Sequence, residues 1–131
     1  MRLLLDTHVA LWAVLDPQRL SASVRSWLID PANDVAFSIA TLWEIAIKRS
    51  TRPGRPDTPK LSAHDAKSAF VDADFEILSL NPDHVEMVEA LPFHHHDPFD
   101  RLLVAQARCE GMTLLTRDKV LVAYGDHVAI V

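Results

Sequence analysis

Carboxylates are the side chains a hard divalent cation takes as ligands, and four in this chain stand where the backbone can gather them. Asp6 ends the apolar run Leu3-Leu4-Leu5, and Asp118 follows Leu114-Leu115-Thr116. Each is a short acid placed just past a strand-like segment. Glu44 lies in Thr41-Leu42-Trp43-Glu44-Ile45-Ala46, apolar on both sides. A carboxylate on such a face must be paired, metal-bound or protonated, because unpaired burial is expensive. Asp100 opens Asp100-Arg101-Leu102-Leu103-Val104-Ala105-Gln106-Ala107, a helical pattern whose amino end favours negative charge. All four also have ordinary structural uses: Asp6 and Asp118 as helix caps, Glu44 in a capping box with Thr41, Asp100 at a helix start. Together they have a chemistry. Two such charges about 4 Å apart repel by ~4 kcal/mol at an effective dielectric near 20, so a cluster demands a cation. A cation held there lowers the pKa of its water and neutralises phosphate oxygens.

The elements that must position these acids follow from hydrophobic periodicity. Arg2–Leu5, Val35–Ser38, Phe75–Leu80, Met112–Thr116 and Val128–Val131 read as strands. Helical spacing runs over His8–Leu15, Ala22–Ile29 behind the cap Ser21, a segment capped by Thr41, Ser62–Asp72, Pro82–Ala90, Phe99–Glu110 before Gly111, and Asp118–Tyr124. Thr51–Pro59, with three prolines and one glycine, is a loop. Strands alternating with helices imply a three-layer α/β fold, an open, mainly parallel sheet with helices on both faces. In such sheets functional groups collect beyond the carboxyl ends of the strands, where Asp6 and Asp118 stand.

The 131 residues fit one domain, residues 1–131, and the composition (49% hydrophobic, 24% charged) is that of a globular chain. Cys109 is the only cysteine, so no internal disulfide forms; it reads as a small, packed helix residue. Met1-Arg2-Leu3-Leu4-Leu5 is interrupted by Asp6 and His8 before it could serve as a signal peptide. No run approaches the ~20 apolar residues that span a bilayer. A cytoplasmic protein without membrane association is expected. The net charge of −5 opposes nucleic-acid binding unless acids converge on a metal and reverse the local sign.

Four segments together resemble a known family: Leu4-Leu5-Asp6-Thr7-His8, Trp43-Glu44-Ile45, His94–Ala107 and Leu115-Thr116-Arg117-Asp118. In this order they are similar to PIN-domain proteins, and within them to VapC-type toxins of bacterial toxin–antitoxin pairs. The resemblance covers essentially the whole chain, and Asp-Pro-Phe-Asp-Arg-Leu-Leu is its most specific piece. It implies a PIN-like fold and a Mg²⁺ or Mn²⁺ site of Asp6, Glu44, Asp100 and Asp118 that hydrolyses RNA phosphodiesters. It also implies a cognate antitoxin and pairing as a homodimer. Asp100 ranks above Asp97, which is kept as an accessory group. Thr116 is placed to hold a water or a neighbouring carboxylate, unless it is simply a β-branched strand residue. Thr7 and Arg101 flank the site, and His95 stands where the family carries a loop-orienting histidine.

Other motifs are weaker. His94-His95-His96 lacks the ligand spacing of a zinc site and reads as a loop whose rings point apart. Arg49, Arg52 and Arg55, with Lys48 and Lys60, form a basic loop that suits either RNA phosphates or plain solvation. Trp12, Trp27 and Trp43 fall on apolar helical faces and read as core or interface rather than base-stacking platforms. No nucleophile elbow, Walker loop or dinucleotide fingerprint is present. Two alternatives remain: a catalytically silent module on the same fold, and a receiver-like Mg²⁺-binding signalling domain. The receiver reading fits poorly, because the third strand ends Leu78-Ser79-Leu80 and the fourth Thr116-Arg117.

Overall fold

Leu3, Leu4 and Leu5 have too much apolar surface for an edge, and they form the central strand of the sheet, β1 (Arg2–Leu5). A computed structural model describes all residues, 1–131. The other strands are β2 (Asp34–Ser38), β3 (Glu76–Leu78), β4 (Thr113–Thr116) and β5 (Val128–Ile130). Their order is β3-β2-β1-β4-β5, and every neighbouring pair is parallel. Leu4 pairs with Ala36 on one side and Leu114 on the other, so the most apolar residues share one register. This is the expected α/β, PIN-like layout.

Strand alternation then sorts the side chains onto two cores. Leu3, Leu5, Val35, Phe37 and Leu115 face a layer built from α1 (Thr7–Leu15), α2 (Ala22–Ile29) and α4 (Ala63–Asp72). Leu4, Ala36 and Leu114 face α6 (Pro98–Glu110) and the 3₁₀ turn Lys119–Tyr124, with α5 (Pro82–Ala90) outside α6. The helix α3 (Ile39–Thr51) gives Ile45 to the first core and Ala40 to the second. From β1 the chain moves first to β2 and β3, then crosses to β4 on the other side. The sheet therefore has its switch point between β1 and β4. At such a point the crossovers leave in opposite directions and open a crevice at the carboxyl edge.

Three expectations are corrected. Helix α3 is capped by Ser38, whose Oγ accepts from the Ala40 N–H at 2.9 Å, not by Thr41. Thr41 and Glu44 thus lie inside the helix and form no capping box, which frees Glu44 to face inward. Helix α6 begins one residue early, at Pro98, because Asp97 caps it and proline suits the first helical position. Cys109 is on α6 but exposed, so it is not packed. No helix is long and apolar enough to cross a membrane.

Leu4 is fully buried between β2 and β4. Leu4→Ala removes its side chain from the centre of the sheet and is expected to lower unfolding free energy by about 2–5 kcal/mol. Denaturant titration checks this; an unchanged midpoint contradicts the packing described.

Candidate active site

The crevice at the β1/β4 switch point is where the predicted acids meet. Asp6 is the first residue beyond β1 and caps α1, its Oδ1 accepting from the Val9 N–H at 2.8 Å. Its backbone N–H is tied to the Leu115 carbonyl at 3.0 Å, which fixes the strand end. The Thr116 hydroxyl donates to Asp6 Oδ2 and accepts from the Asp118 N–H at 3.0 Å. One buried threonine thereby sets the spacing of the two strand-end acids. Asp118 caps the following turn through the Val120 N–H. Both acids thus cap an element and still line the crevice.

Glu44 reaches the same crevice from α3. It is 4% exposed, receives the Thr7 hydroxyl at 2.7 Å and meets Lys48 Nζ at 2.6 Å. Asp100 comes from the first turn of α6. Below it, Asp97 Oδ1 accepts from the Phe99 and Asp100 N–H groups at 2.8 and 3.3 Å. The ligand atoms of His95, Asp100 and Asp118 all lie within 4.8 Å of one another. A cleft of about 480 Å³ joins these groups with Lys48, His8, Trp12 and Arg117.

His95 is the member that sequence patterning left as a loop residue. Its Nδ1 accepts from the Asp97 N–H at 2.9 Å, so the neutral ring carries its hydrogen on Nε2, 2.7 Å from Asp118 Oδ2. His95 is therefore a donor that orients Asp118. Tyr124 fixes the loop from beneath, its hydroxyl accepting from the His94 and His95 N–H groups at 3.1 Å. His94 stacks edge-on with Tyr124 and His96 with Phe93, so the three rings do point apart.

Burial and crowding disturb these acids. Desolvation pushes the Asp6 carboxyl above its ordinary range, against the Thr116 and Val9 hydrogen bonds. Asp100 is raised to about 7, first by burial, then by the charges of Asp97, Asp6 and Glu44, with His95 opposing. Those neighbours are themselves evidence of convergence, since like charges act over short range here. Oxygen donors in a shared negative field suit a hard cation, and the imidazole hydrogen aimed at Asp118 leaves that donor set to carboxylates.

A PIN domain model matches residues 3–126. The chain belongs to the PIN-domain family. A relative in Mycobacterium tuberculosis (strain ATCC 25618 / H37Rv), Ribonuclease VapC22, is 32% identical over 119 residues, covering 90% of this chain and 88% of the relative. Among solved structures, VapBC2 from Rickettsia felis, bound to a DNA fragment from its promoter, matches all of this chain and 98% of its own. The TM-score is 0.70 at 17% identity. FitAcB from Neisseria gonorrhoeae matches with TM-score 0.66 and 19% identity over 98% of this chain and 95% of its own. At these identities the structures speak for the PIN fold alone.

The PIN fold brings together Asp6, Glu44, Asp97, Asp100, Asp118, Thr7 and, beneath them, Thr116. Arg101 is not part of the gathering: its guanidinium binds the Val88 and Leu91 carbonyls and lies 5.1 Å from the Phe93 ring centroid. The basic loop is partly self-satisfied, with Arg49 on the Pro59 carbonyl and Arg52 on Asp57. Trp27 packs against the first core, while Trp43 is 55% exposed and meets Phe99 edge-on.

The raised Asp100 has a measurable sign. A carboxyl that holds its proton more tightly when folded stabilises the metal-free protein fully below the ordinary value of 3.8, and loses this as pH rises through about 7. In EDTA, the stability difference between wild type and Asp100→Asn is therefore expected to turn against wild type between those limits. A difference flat with pH would contradict the crowding described.

Proposed function

We propose that this PIN-domain chain is a metal-dependent endoribonuclease, the toxin of a toxin–antitoxin pair, hydrolysing RNA phosphodiester bonds at the β1/β4 crevice. The carrying observation is the convergence of carboxylates from four distant segments on one cleft. Likeness to the mycobacterial ribonuclease VapC22 supports the ribonuclease activity. Structural neighbours that include VapBC-5 from Mycobacterium tuberculosis, a member of the VapBC family of toxin–antitoxin systems, support an antitoxin as partner. A homodimer acting in the cytoplasm as a single domain, residues 1–131, completes the reading.

Asp6, Asp100 and Asp118 are the proposed ligands, with Glu44 at the inner wall, for Mg²⁺ or, second, Mn²⁺. When bound, the cation supplies a water of lowered pKa and a positive partner for phosphate oxygens. The chain's own residues do the rest. Thr116 holds Asp6 and Asp118 at fixed spacing, and His95 fixes the Asp118 carboxylate through Nε2. Lys48 balances Glu44 and adds positive charge to the wall. Asp100, partly protonated near neutral pH, must give up its proton before it can act as a ligand.

Purified protein with structured RNAs in Mg²⁺, Mn²⁺ or EDTA tests the reading. Cleavage is expected only with metal, and Asp6→Asn or Asp100→Asn should each lower it by about 100-fold or more, the scale on which preorganised charges act. Cleavage that survives chelation or both substitutions contradicts the mechanism. A folded wild type that leaves RNA intact with metal is the outcome for a silent binding module.

The threonine tether gives a separate prediction. Thr116→Val keeps the volume of the side chain but removes the hydroxyl bridge, and should weaken metal affinity by about 10–100-fold while the protein stays folded. Calorimetric titration of the metal checks it; unchanged affinity would make Thr116 an ordinary strand residue.

A further inference from the structure

The acid cleft is poorly made for gripping a nucleotide. Of its eleven lining residues one is apolar, Trp12. A nucleobase offers a flat π-face, and carboxylates give it nothing to stack on. Trp12 also lines a second cleft of about 510 Å³ that continues the first past Thr7, His8 and Lys48 toward Arg19 and Lys60. The indole thus stands at the junction, half-buried, with a face of α1 behind it.

Two guanidiniums lie against this ring. Arg117 Cζ is 5.0 Å and Arg19 Cζ 5.4 Å from its centroid. Their tethering differs. Arg19 is paired with Asp16 at 3.2 Å, and Lys48, which lines both clefts, is held by Glu44. Arg117 is exposed and has no carboxylate partner, and in sequence it stands between Thr116 and Asp118. It can leave the ring at little cost.

We propose that Trp12, Arg19 and Arg117 form the subsite for an unpaired nucleotide flanking the cleaved bond. The base stacks on the indole in place of Arg117, and the released guanidinium turns to the adjacent phosphate. Arg19 stays on the ring, anchored by Asp16. This arrangement selects single-stranded RNA, because a base within a duplex has no free face to give. It also answers the net charge of −5: the strand is gripped by one aromatic ring and a few local cations, without a basic face. The subsite rests on the nuclease reading for its role, though its binding is measurable without cleavage.

The test is binding of a fluorescently labelled single-stranded RNA in EDTA, followed by cleavage kinetics with Mg²⁺. Trp12→Ala is expected to weaken binding about tenfold, within the usual effect of losing one base–aromatic stack, and Trp12→Phe to restore most of it. Arg117→Ala should weaken binding and lower the salt slope by about 1. With metal, both Ala variants should raise KM while kcat holds. The indole also packs on the core, so thermal melts accompany Trp12→Ala; Arg117, being exposed, keeps the test decisive if that variant unfolds. Duplex RNA of the same sequence should bind equally to wild type and Arg117→Ala. Wild-type binding and KM in Arg117→Ala and in folded Trp12→Phe and Trp12→Ala overturn the subsite and leave the nuclease reading intact. Trp12-dependent binding without any cleavage by wild type supports the subsite and removes the nuclease reading.

Discussion

Negative charge is concentrated at the carboxyl edge of the sheet against its own repulsion, and the neighbouring side chains are arranged around that fact. Asp6 and Glu44 are almost wholly removed from water, at 5% and 4% exposure. Asp100 is pushed to about 7 by burial and by three acidic neighbours. Two unit charges within 4.8 Å repel by about 3–4 kcal/mol or more at an effective dielectric near 20. The chain offsets this with hydrogen bonds to Asp6, Glu44 and Asp118 rather than with ion pairs throughout, and leaves the Asp100 carboxylate without one. Thr116 serves Asp6, Thr7 serves Glu44, and His95 serves Asp118. Lys48 is the one ammonium brought to the cluster. What remains uncompensated is the charge a divalent cation would neutralise.

The fold makes such a concentration tolerable by placing each acid on a rigid element. Asp6 and Asp118 leave adjacent parallel strands at the one place where the crossovers diverge, so their backbones part and a crevice opens. Glu44 and Asp100 are carried on α3 and α6, which touch each other above that crevice, with Trp43 meeting Phe99 across the contact. Residues 6, 44, 100 and 118 are thus linked through packed cores on both faces of the sheet, not through a flexible loop. The loop that does enter, His94–Asp97, is fixed by Tyr124 below and by the cap of α6 ahead.

Much of this was legible in the residues. Leu3-Leu4-Leu5 has no polar alternation, which marks a strand covered on both faces, and Ser21 announces the helix Ala22–Ile29 at the bounds observed. Asp6 and Asp118 stand out because each follows a buried strand. Glu44 stands out for its apolar flanks, but its cap does not: both Ser38 and Thr41 can cap, and the helix starts directly at the strand end, so Ser38 takes the role. Lys48 has a local signal, the i,i+4 spacing from Glu44, which its place beside the basic loop obscures. His95 carried none beyond the family likeness. Its partner Asp118 is 23 residues away, and the tautomer is set by a backbone N–H that exists only once α6 is capped. Trp12 looked like core because half of it is core. Its open half depends on Arg19 and Arg117, which the fold brings to it from opposite ends of the chain.

Carboxylates that would otherwise be kept apart are gathered here for a divalent cation. Anomalous diffraction from crystals equilibrated with Mn²⁺ examines this most directly. Manganese is expected within bonding distance of Asp6, Asp100 and Asp118 oxygens, and is expected to be absent from Asp6→Asn crystals. Saturating Mn²⁺ that leaves this crevice empty, or binds only at His94 and His96, would contradict this.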